Sequence, residues 1–115
     1  MGLVRLEGQE DHLVTPQYSN ARGPVLRSEH MEVTRASFKK GEGARTHSHP
    51  EEQVMYVISG RARIRVGDEE YEATPGDLSY HPSDVPHSVE ALEDFVALSV
   101  KRLVEPIYGP TGRLA

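Results

Sequence analysis

Short segments of strand length follow one another along the chain, glycine or proline separates most of them, and segment 61–66 alternates strictly between apolar and polar residues. Alternation with period two is typical of strands that bury one face, and no segment sustains the 3.6-residue period of an amphipathic helix. The segments predicted as strands are 32–38, 53–59, 61–66, 69–73, 77–80, 87–91 and 95–104, with weaker candidates at 13–15 and 25–26. This pattern predicts an all-β sandwich or barrel.

One predicted hairpin has enough pattern to specify its register. In segment 61–66 the even positions are apolar and the odd positions are all arginine, which predicts one buried face. A two-residue turn at Gly67-Asp68 would pair Arg65 with Glu70, Ile64 with Tyr71 and Arg63 with Glu72. The arginines could instead form a patch for an anionic ligand, but the facing glutamates cancel their charge. We therefore expect a solvated ladder of opposite charges.

The length of the chain indicates one domain. Its 115 residues are close to the usual domain size, so we predict a single domain over 1–115, with the barrel core at about 32–104. The end segments 1–11 and 105–115 are polar or contain several glycines and prolines. We interpret them as arms that could lie on a neighbouring subunit.

Composition excludes several classes of protein. Acidic residues outnumber basic ones, 18 against 13, and the formal net charge of −5 argues against a nucleic-acid partner. The absence of cysteine excludes a disulfide scaffold, a thiolate zinc site and a cysteine nucleophile. The longest apolar run, 54–58, is far shorter than the roughly 20 residues that span a membrane, and no signal-peptide pattern opens the sequence. We expect a soluble cytoplasmic protein without a membrane partner.

Four of the six histidines fall in two clusters, which are candidates for a metal site. His47 and His49 are two apart, so on an extended segment both side chains would project from one face, and Gln53 keeps that parity. His87, from the second cluster, would come from a different strand. Imidazole binds Fe, Mn, Ni, Zn and Cu, although a lone His-x-His pair is more often an ordinary surface pair. The glycines and the Pro-Gly turn that frame the clusters favour the metal interpretation.

The spacing of both clusters resembles the two sequence motifs of the cupin superfamily. The matching positions are Gly41, His47, His49, Gln53 and Gly60 in the first motif and Gly76, Pro82 and His87 in the second, with Asp84 and Ala91 as departures. The resemblance implies a jelly-roll barrel, also called a double-stranded β-helix. The residues that it assigns to a divalent transition-metal ion are His47, His49, Gln53 and His87. It also implies a homodimer formed through the sheets, which the apolar segment 95–104 fits.

Gln53 stands where the family motif has a glutamate. A glutamate would cancel one unit of the metal's charge, whereas glutamine offers a neutral carbonyl oxygen. The ion would then keep its full positive charge, which would favour an anionic or enolisable substrate and make the ion a stronger Lewis acid. Glu51, which has the parity of His49, is an alternative ligand that Pro50 and the motif spacing disfavour.

The side chains around the predicted site are expected to divide between the interior and the surface. Strand parity predicts that Met55 and Val57 line the barrel and that Tyr56 faces outward. His81 could lie beside the ligands or on the surface. Arg45 could reach a carboxylate at the mouth of the barrel, or it could simply be an exposed residue at a loop end.

The resemblance narrows the function to metal-dependent chemistry on a small molecule. The His-Ser-His-Pro segment followed by Glu-Gln is similar to small cupins of the pectin-degradation type, which open unsaturated uronates, but segment 95–104 lacks the acid of those relatives. We therefore expect an isomerase or lyase that acts on a small oxygenated, anionic substrate. A quercetinase-like dioxygenase is an alternative, which Gln53 disfavours because the glutamate base is missing. A non-catalytic module that binds a metal or small ligand is the third interpretation, favoured by the lack of a second acid or base in the predicted cavity.

Overall fold

Antiparallel strands provide the regular structure of residues 2–104, which are the residues that the computed structural model describes. The strands are β1 (His12–Leu13), β2 (Arg22–Gly23), β3 (Val25–Arg27), β4 (Met31–Phe38), β5 (Gly43–His47), β6 (Gln53–Ser59), β7 (Ala62–Val66), β8 (Glu69–Ala73), β9 (Leu78–His81), β10 (His87–Ala91) and β11 (Phe95–Arg102). Within residues 2–104, no helix is long and apolar enough to cross a membrane. The predicted arm at 105–115 lies outside the described residues.

The strands form two sheets that enclose a common core. The larger sheet has the order β1-β2-β4-β11-β6-β9, with β3 also paired to β4, and the smaller sheet has the order β5-β10-β7-β8. Buried side chains from both sheets belong to one hydrophobic cluster. This architecture is the predicted all-β jelly-roll barrel.

The predicted segments agree with the observed strands to within a few residues. All seven main segments are strands, and the two weaker candidates correspond to β1 and β3. The predicted parity of β6 is also confirmed, because Met55 and Val57 are buried whereas Tyr56 is 47% exposed. Alternation does not predict β2, which has two residues, or β5, which exposes Arg45 and Thr46 side by side.

The β7–β8 hairpin has the predicted register. Its paired residues include Ile64–Tyr71, Arg63–Glu72 and Arg65–Glu70. Gly67 has a φ of +57° in the two-residue turn, a left-handed conformation that glycine adopts without strain. Ile64 is fully buried, whereas both neighbouring arginines are exposed. The hairpin therefore has one buried and one solvent-exposed face, as the sequence predicts.

The barrel interior is apolar at one end and polar at the other. At the apolar end, Phe38 and Phe95 pack with ring centroids 6.2 Å apart. At the polar end, a row of buried side chains crosses four adjacent strands: Glu32 on β4, Lys101 on β11, Gln53 on β6 and His81 on β9. Such cross-strand neighbours have Cβ atoms about 4.5–5.5 Å apart. The larger sheet therefore presents a line of polar groups to the interior at this end.

Candidate metal centre

Two paired strands of the smaller sheet bring three histidines together at the polar end. His47 ends β5, His87 begins β10, and the two residues lie opposite each other in the antiparallel pair. His49 follows the end of β5 by two residues. The ring centroids of His47 and His49 lie 4.3 and 4.8 Å from that of His87, and one ligand atom from each residue lies within 4.8 Å of the others. The three residues form a candidate metal site.

Backbone carbonyls hold the Nδ1 atom of each imidazole. The hydrogen bonds run from His47 Nδ1 to Arg45 O, from His49 Nδ1 to Glu51 O at 2.8 Å, and from His87 Nδ1 to Val85 O at 2.9 Å. A neutral imidazole carries one proton, so these bonds place the lone pair on Nε2. Nε2 of His49 and of His87 is buried without a hydrogen-bond partner among residues 2–104. Oriented rings with unpaired nitrogens fit a metal ion well.

Burial keeps these imidazoles neutral near pH 7. It lowers the pKa of His47 and of His49 from 6.5 to about 4, and it also lowers the pKa of His87. The positive charge of Lys101 adds to the effect at all three residues. Because only neutral imidazole offers a lone pair, the site can bind a cation at neutral pH without first losing protons.

Gln53 lines the same cavity as His47 and His87. It begins β6 and is 8% exposed, and its Nε2 donates to Ser99 Oγ at 2.8 Å. This bond turns the amide nitrogen toward β11, so the carbonyl oxygen is the atom of this side chain suited to a cation. The structure thus brings all four residues predicted as ligands to the polar end of the barrel.

His81 is a fourth imidazole in the interior, and the alternative that placed it on the surface is wrong. It is fully buried on β9, with its ring centroid 4.5 Å from that of His87. Its Nε2 is hydrogen-bonded to Ser79 Oγ at 2.8 Å, and that hydroxyl is hydrogen-bonded to the Tyr71 hydroxyl at 2.6 Å. Burial lowers the pKa of His81 to about 3, so this ring is also neutral. Its Nδ1 has no hydrogen-bond partner in the described part of the chain.

Glu51 is buried beside His49, on the Nδ1 side of its ring. Its carboxylate lies 3.8 Å from Nδ1 of His49, whereas the atom suited to a metal is Nε2 of the same ring. Glu51 is 3% exposed, and its backbone carbonyl also accepts the hydrogen bond from that Nδ1. The carboxylate is therefore placed to orient His49 and to favour its ligating tautomer.

The interior contains two charged residues that the sequence does not reveal as site residues. Lys101 lines the cavity, and its Nζ lies 4.0 Å from the carboxylate of Glu32, which accepts a closer bond of 2.8 Å from Arg27. The expectation that the cavity region has no second acid or base is therefore wrong. Strand parity reveals both residues only once the buried face of each strand is known, since Glu32 shares the inward face of β4 with Thr34 and Lys101 shares that of β11 with Ser99.

Tyr18 covers His47 from a segment that the sequence patterns leave without a role. The two rings are stacked, with centroids 3.7 Å apart and an interplanar angle of 21°. Arg45 holds this segment on β5, because its backbone nitrogen donates to Tyr18 O and its guanidinium donates to Gln17 O. Of the two alternatives for Arg45, the exposed position is the one that the structure shows. The residue holds the segment that carries Tyr18 against β5.

The cavity between the two sheets is small, with a volume of about 50 Å³. The polar residues that line it include His47, His81, His87, Gln53, Thr34 and Lys101. One water occupies roughly 10–15 Å³ on this measure, so the cavity has room for about three to five water-sized groups. A ligand with only a few non-hydrogen atoms fits this space.

Comparisons with known proteins agree with this architecture. A family model described as a cupin domain matches residues 34–101. An oxalate decarboxylase of Bacillus subtilis (strain 168) is 36% identical over 72 residues, which are 58% of this chain and 19% of that protein. An uncharacterized protein of Streptomyces coelicolor is 30% identical over 69 residues, 60% of this chain and 66% of that one, so the chain spans only part of either relative.

A solved structure extends the likeness to nearly the whole chain. The RmlC-like cupin from Shewanella frigidimarina NCIMB 400 superposes with a TM-score of 0.80 over 92% of this chain and 94% of that one. The sequence identity is 19%, so this comparison concerns the fold alone.

Proposed function

The chain belongs to the cupin family, and from this premise we propose that it is a metal-dependent enzyme of the isomerase or lyase type. The ligands in this proposal are His47, His49, Gln53 and His87. The ion is a divalent transition metal, namely Fe, Mn, Ni, Zn or Cu, because imidazole nitrogen and a neutral carbonyl oxygen suit these metals.

The observation that carries the proposal is the state of the three imidazoles. Their Nδ1 atoms are held by backbone carbonyls, and the Nε2 atoms of His49 and His87 are buried without a partner in residues 2–104. Burying an unpaired polar atom costs about 1–3 kcal/mol. Two such nitrogens in one cluster therefore support a bound ion as their partner.

A bound divalent ion would supply Lewis acidity, polarising an oxygen of the substrate. The ligands contribute no negative charge, so the ion's full charge would act on that oxygen. The chain itself binds and orients the substrate. Tyr18 covers His47 and closes one side of the site, and Lys101 places a buried positive charge beside the four histidines.

The substrate class follows from the size and charge of the cavity. A volume of about 50 Å³ suits a molecule of a few atoms and disfavours a sugar ring such as that of a uronate. The relative from Bacillus subtilis is named for the decarboxylation of oxalate, a two-carbon dicarboxylate. We therefore propose a small, oxygenated anion as substrate, with cleavage or isomerisation next to its carboxylate.

The metal site is tested by the metal content of the purified protein. Wild type should take up about one zinc or manganese ion per chain, and the His47→Ala/His49→Ala double variant should lose most of this capacity. The control is His30→Ala, an exposed histidine outside the cluster, which should bind like wild type. Equal metal content in wild type and the double variant would contradict the assignment.

The reaction type is tested by turnover on a panel of small acids with and without oxygen. Metal-loaded protein should convert at least one of oxalate, glyoxylate or pyruvate without consuming oxygen. Oxygen uptake with a diphenol would instead indicate a dioxygenase. No turnover across the panel would favour a non-catalytic binding module over the enzyme proposed here.

A further inference from the structure

We infer that the cavity contains a carboxylate-binding subsite formed by Thr34, His81 and Lys101, facing the three histidines from the opposite sheet. The inference deepens the proposed function and rests on it, since the subsite would hold the substrate's carboxylate beside the metal. It assigns recognition of a small carboxylate to three residues that lie outside the ligand set.

The register of the larger sheet places two of these residues beside Gln53 and the third on the strand beyond Lys101. Lys101 and His81 are the cross-strand partners of Gln53 on its two sides, from β11 and β9. Thr34 is the partner of Ser99, which lies two residues from Lys101 on the same face of β11. All three side chains line the cavity that His47 and His87 border from the smaller sheet.

Two of the three residues have a buried polar atom without a partner. Thr34 Oγ1 and His81 Nδ1 make no hydrogen bond within residues 2–104, although Thr34 is 2% exposed and His81 is fully buried. Buried polar atoms in proteins are nearly always paired, so two orphans in one cavity indicate a polar ligand. The hydroxyl of Thr34 can donate to such a ligand.

The hydrogen bonds behind His81 favour a donor at its Nδ1. The chain runs from the Tyr71 hydroxyl to Ser79 Oγ and on to His81 Nε2. A phenol is the stronger acid of the two hydroxyls, so the favoured direction has Tyr71 donating to Ser79 and Ser79 donating to Nε2. The proton of the neutral ring then sits on Nδ1, the buried ring atom that has no hydrogen-bond partner among residues 2–104.

Lys101 supplies the positive charge for the subsite. It is 7% exposed, and its ammonium carries three N–H donors, so its contact with Glu32 at 4.0 Å is compatible with a further bond to a carboxylate. Charge-assisted hydrogen bonds of this kind are about twice as strong as neutral ones. A small acid offers carboxylate oxygens that can accept from donors lining this cavity, and the volume of about 50 Å³ favours a small acid over a large one.

The subsite is tested by calorimetric titration of oxalate into zinc-loaded protein. Thr34→Val, which keeps the side-chain shape, should weaken oxalate binding about tenfold, and Lys101→Met should weaken it about tenfold to 100-fold. Lys40→Met, at an exposed lysine outside the cavity, is the control and should bind like wild type. Zinc content should be the same in all four proteins.

The two proposals fail in distinguishable ways. Equal zinc content with oxalate affinities within twofold of wild type in both variants would overturn the subsite and leave the metal site standing. Undetectable oxalate binding to zinc-loaded wild type would also overturn the subsite. If wild type binds no zinc, the proposed function fails, and the same titration on metal-free protein still decides the subsite. Glucuronate should not compete with oxalate, and effective competition would contradict the limit on size.

Discussion

Four side-chain atoms in the polar end of the barrel are buried without a hydrogen-bond partner in the described residues. They are Thr34 Oγ1, His49 Nε2, His81 Nδ1 and His87 Nε2. Each such atom costs stability, and their concentration at one end is the feature on which the proposed ligand site rests. The largest fully buried apolar side chains of the interior are Phe95 and Ile64.

Thr34→Val should therefore stabilise the ligand-free protein while it weakens carboxylate binding. Valine has the shape of threonine without the hydroxyl, so the substitution removes an unpaired buried group, and we expect a gain of about 1 kcal/mol in the free energy of unfolding. Urea denaturation of metal-free wild type and variant measures the difference. A comparable loss of stability would mean that the hydroxyl already has a structural partner. Thr74→Val, at an exposed threonine that bonds Asp77, is the contrasting control and should not be stabilised.

The buried imidazoles should also make the metal-free protein sensitive to mild acid. Burial lowers the pKa of His47 and His49 to about 4 and that of His81 to about 3, whereas unfolded histidine has a pKa near 6.5. Between these values the unfolded chain binds more protons than the folded one, so the free energy of unfolding falls as the pH falls.

We expect His81→Gln to flatten this dependence by about 1 kcal/mol per pH unit between pH 6 and 4.5. Chemical denaturation at a series of pH values, with a chelator present, measures the slope. His30→Gln, at an exposed histidine, should keep the wild-type slope. A slope that is unchanged in His81→Gln would show that this imidazole titrates normally in the fold.

At the scale of single residues, the sequence predicts the three histidines and Gln53 because their types and spacing are themselves the signal. The structure brings these four together. The sequence does not predict Lys101 as a cavity residue, because charged side chains are usually solvated and its inward parity is visible only once β11 is known to be buried on one face. The sequence does not predict Thr34 as a cavity residue either, because threonine is common in strands and its presence there indicates no function.

At the scale of elements, alternation and turn chemistry predict most of the fold. The long strands β4 and β11 alternate strictly between buried and less buried residues, and their length and the glycines and prolines of the chain identify them as strands in the sequence. The strand β5 escapes prediction because Arg45 and Thr46 are exposed side by side, and its pairing with β10 has a register shift between His87 and Val89. That irregularity lies next to the candidate metal site. Strand irregularities are common beside functional sites, because they re-aim side chains there.

Gly60 follows the end of β6 and has a backbone conformation that favours glycine. Its φ is +82°, and an added Cβ would lie 1.9 Å from the carbonyl oxygen of Asp94. Gly41 has a similar φ of +88°, but a Cβ added there would meet no atom within 4 Å. Alanine at Gly41 should therefore cost only the left-handed strain, about 1–2 kcal/mol, whereas alanine at Gly60 should cost clearly more because backbone must move.

Thermal or urea denaturation of Gly41→Ala and Gly60→Ala tests this difference between two glycines of the same sequence motif. The expected result is a small loss for the first variant and a loss of more than about 3 kcal/mol, or failure to fold, for the second. Similar losses in both would show that the approach of Asp94 to Gly60 relaxes easily.

At the scale of the whole molecule, the apolar residues outside the core are concentrated on one sheet face. The exposed large apolar residues of β6 and β9 are Tyr56, Ile58, Leu78 and Tyr80. Two of them, Tyr56 and Leu78, are direct cross-strand partners, so their side chains form a continuous patch. A patch of this kind on the outer face of a sheet is typical of an interface.

We predict that this face pairs two copies of the chain into a homodimer, as the family resemblance implies. Light scattering at about 50 µM should give the mass of two chains, because burying an apolar patch of several side chains outweighs the entropy of association at such concentrations. Leu78→Lys places a charge in the centre of the patch, where Leu78 is 59% exposed, and should give a monomer. Leu13→Lys changes a leucine that is 51% exposed on β1, at the far edge of the same sheet, and should remain dimeric. A monomeric wild type, or a dimer that Leu78→Lys leaves intact, would contradict an interface at this patch.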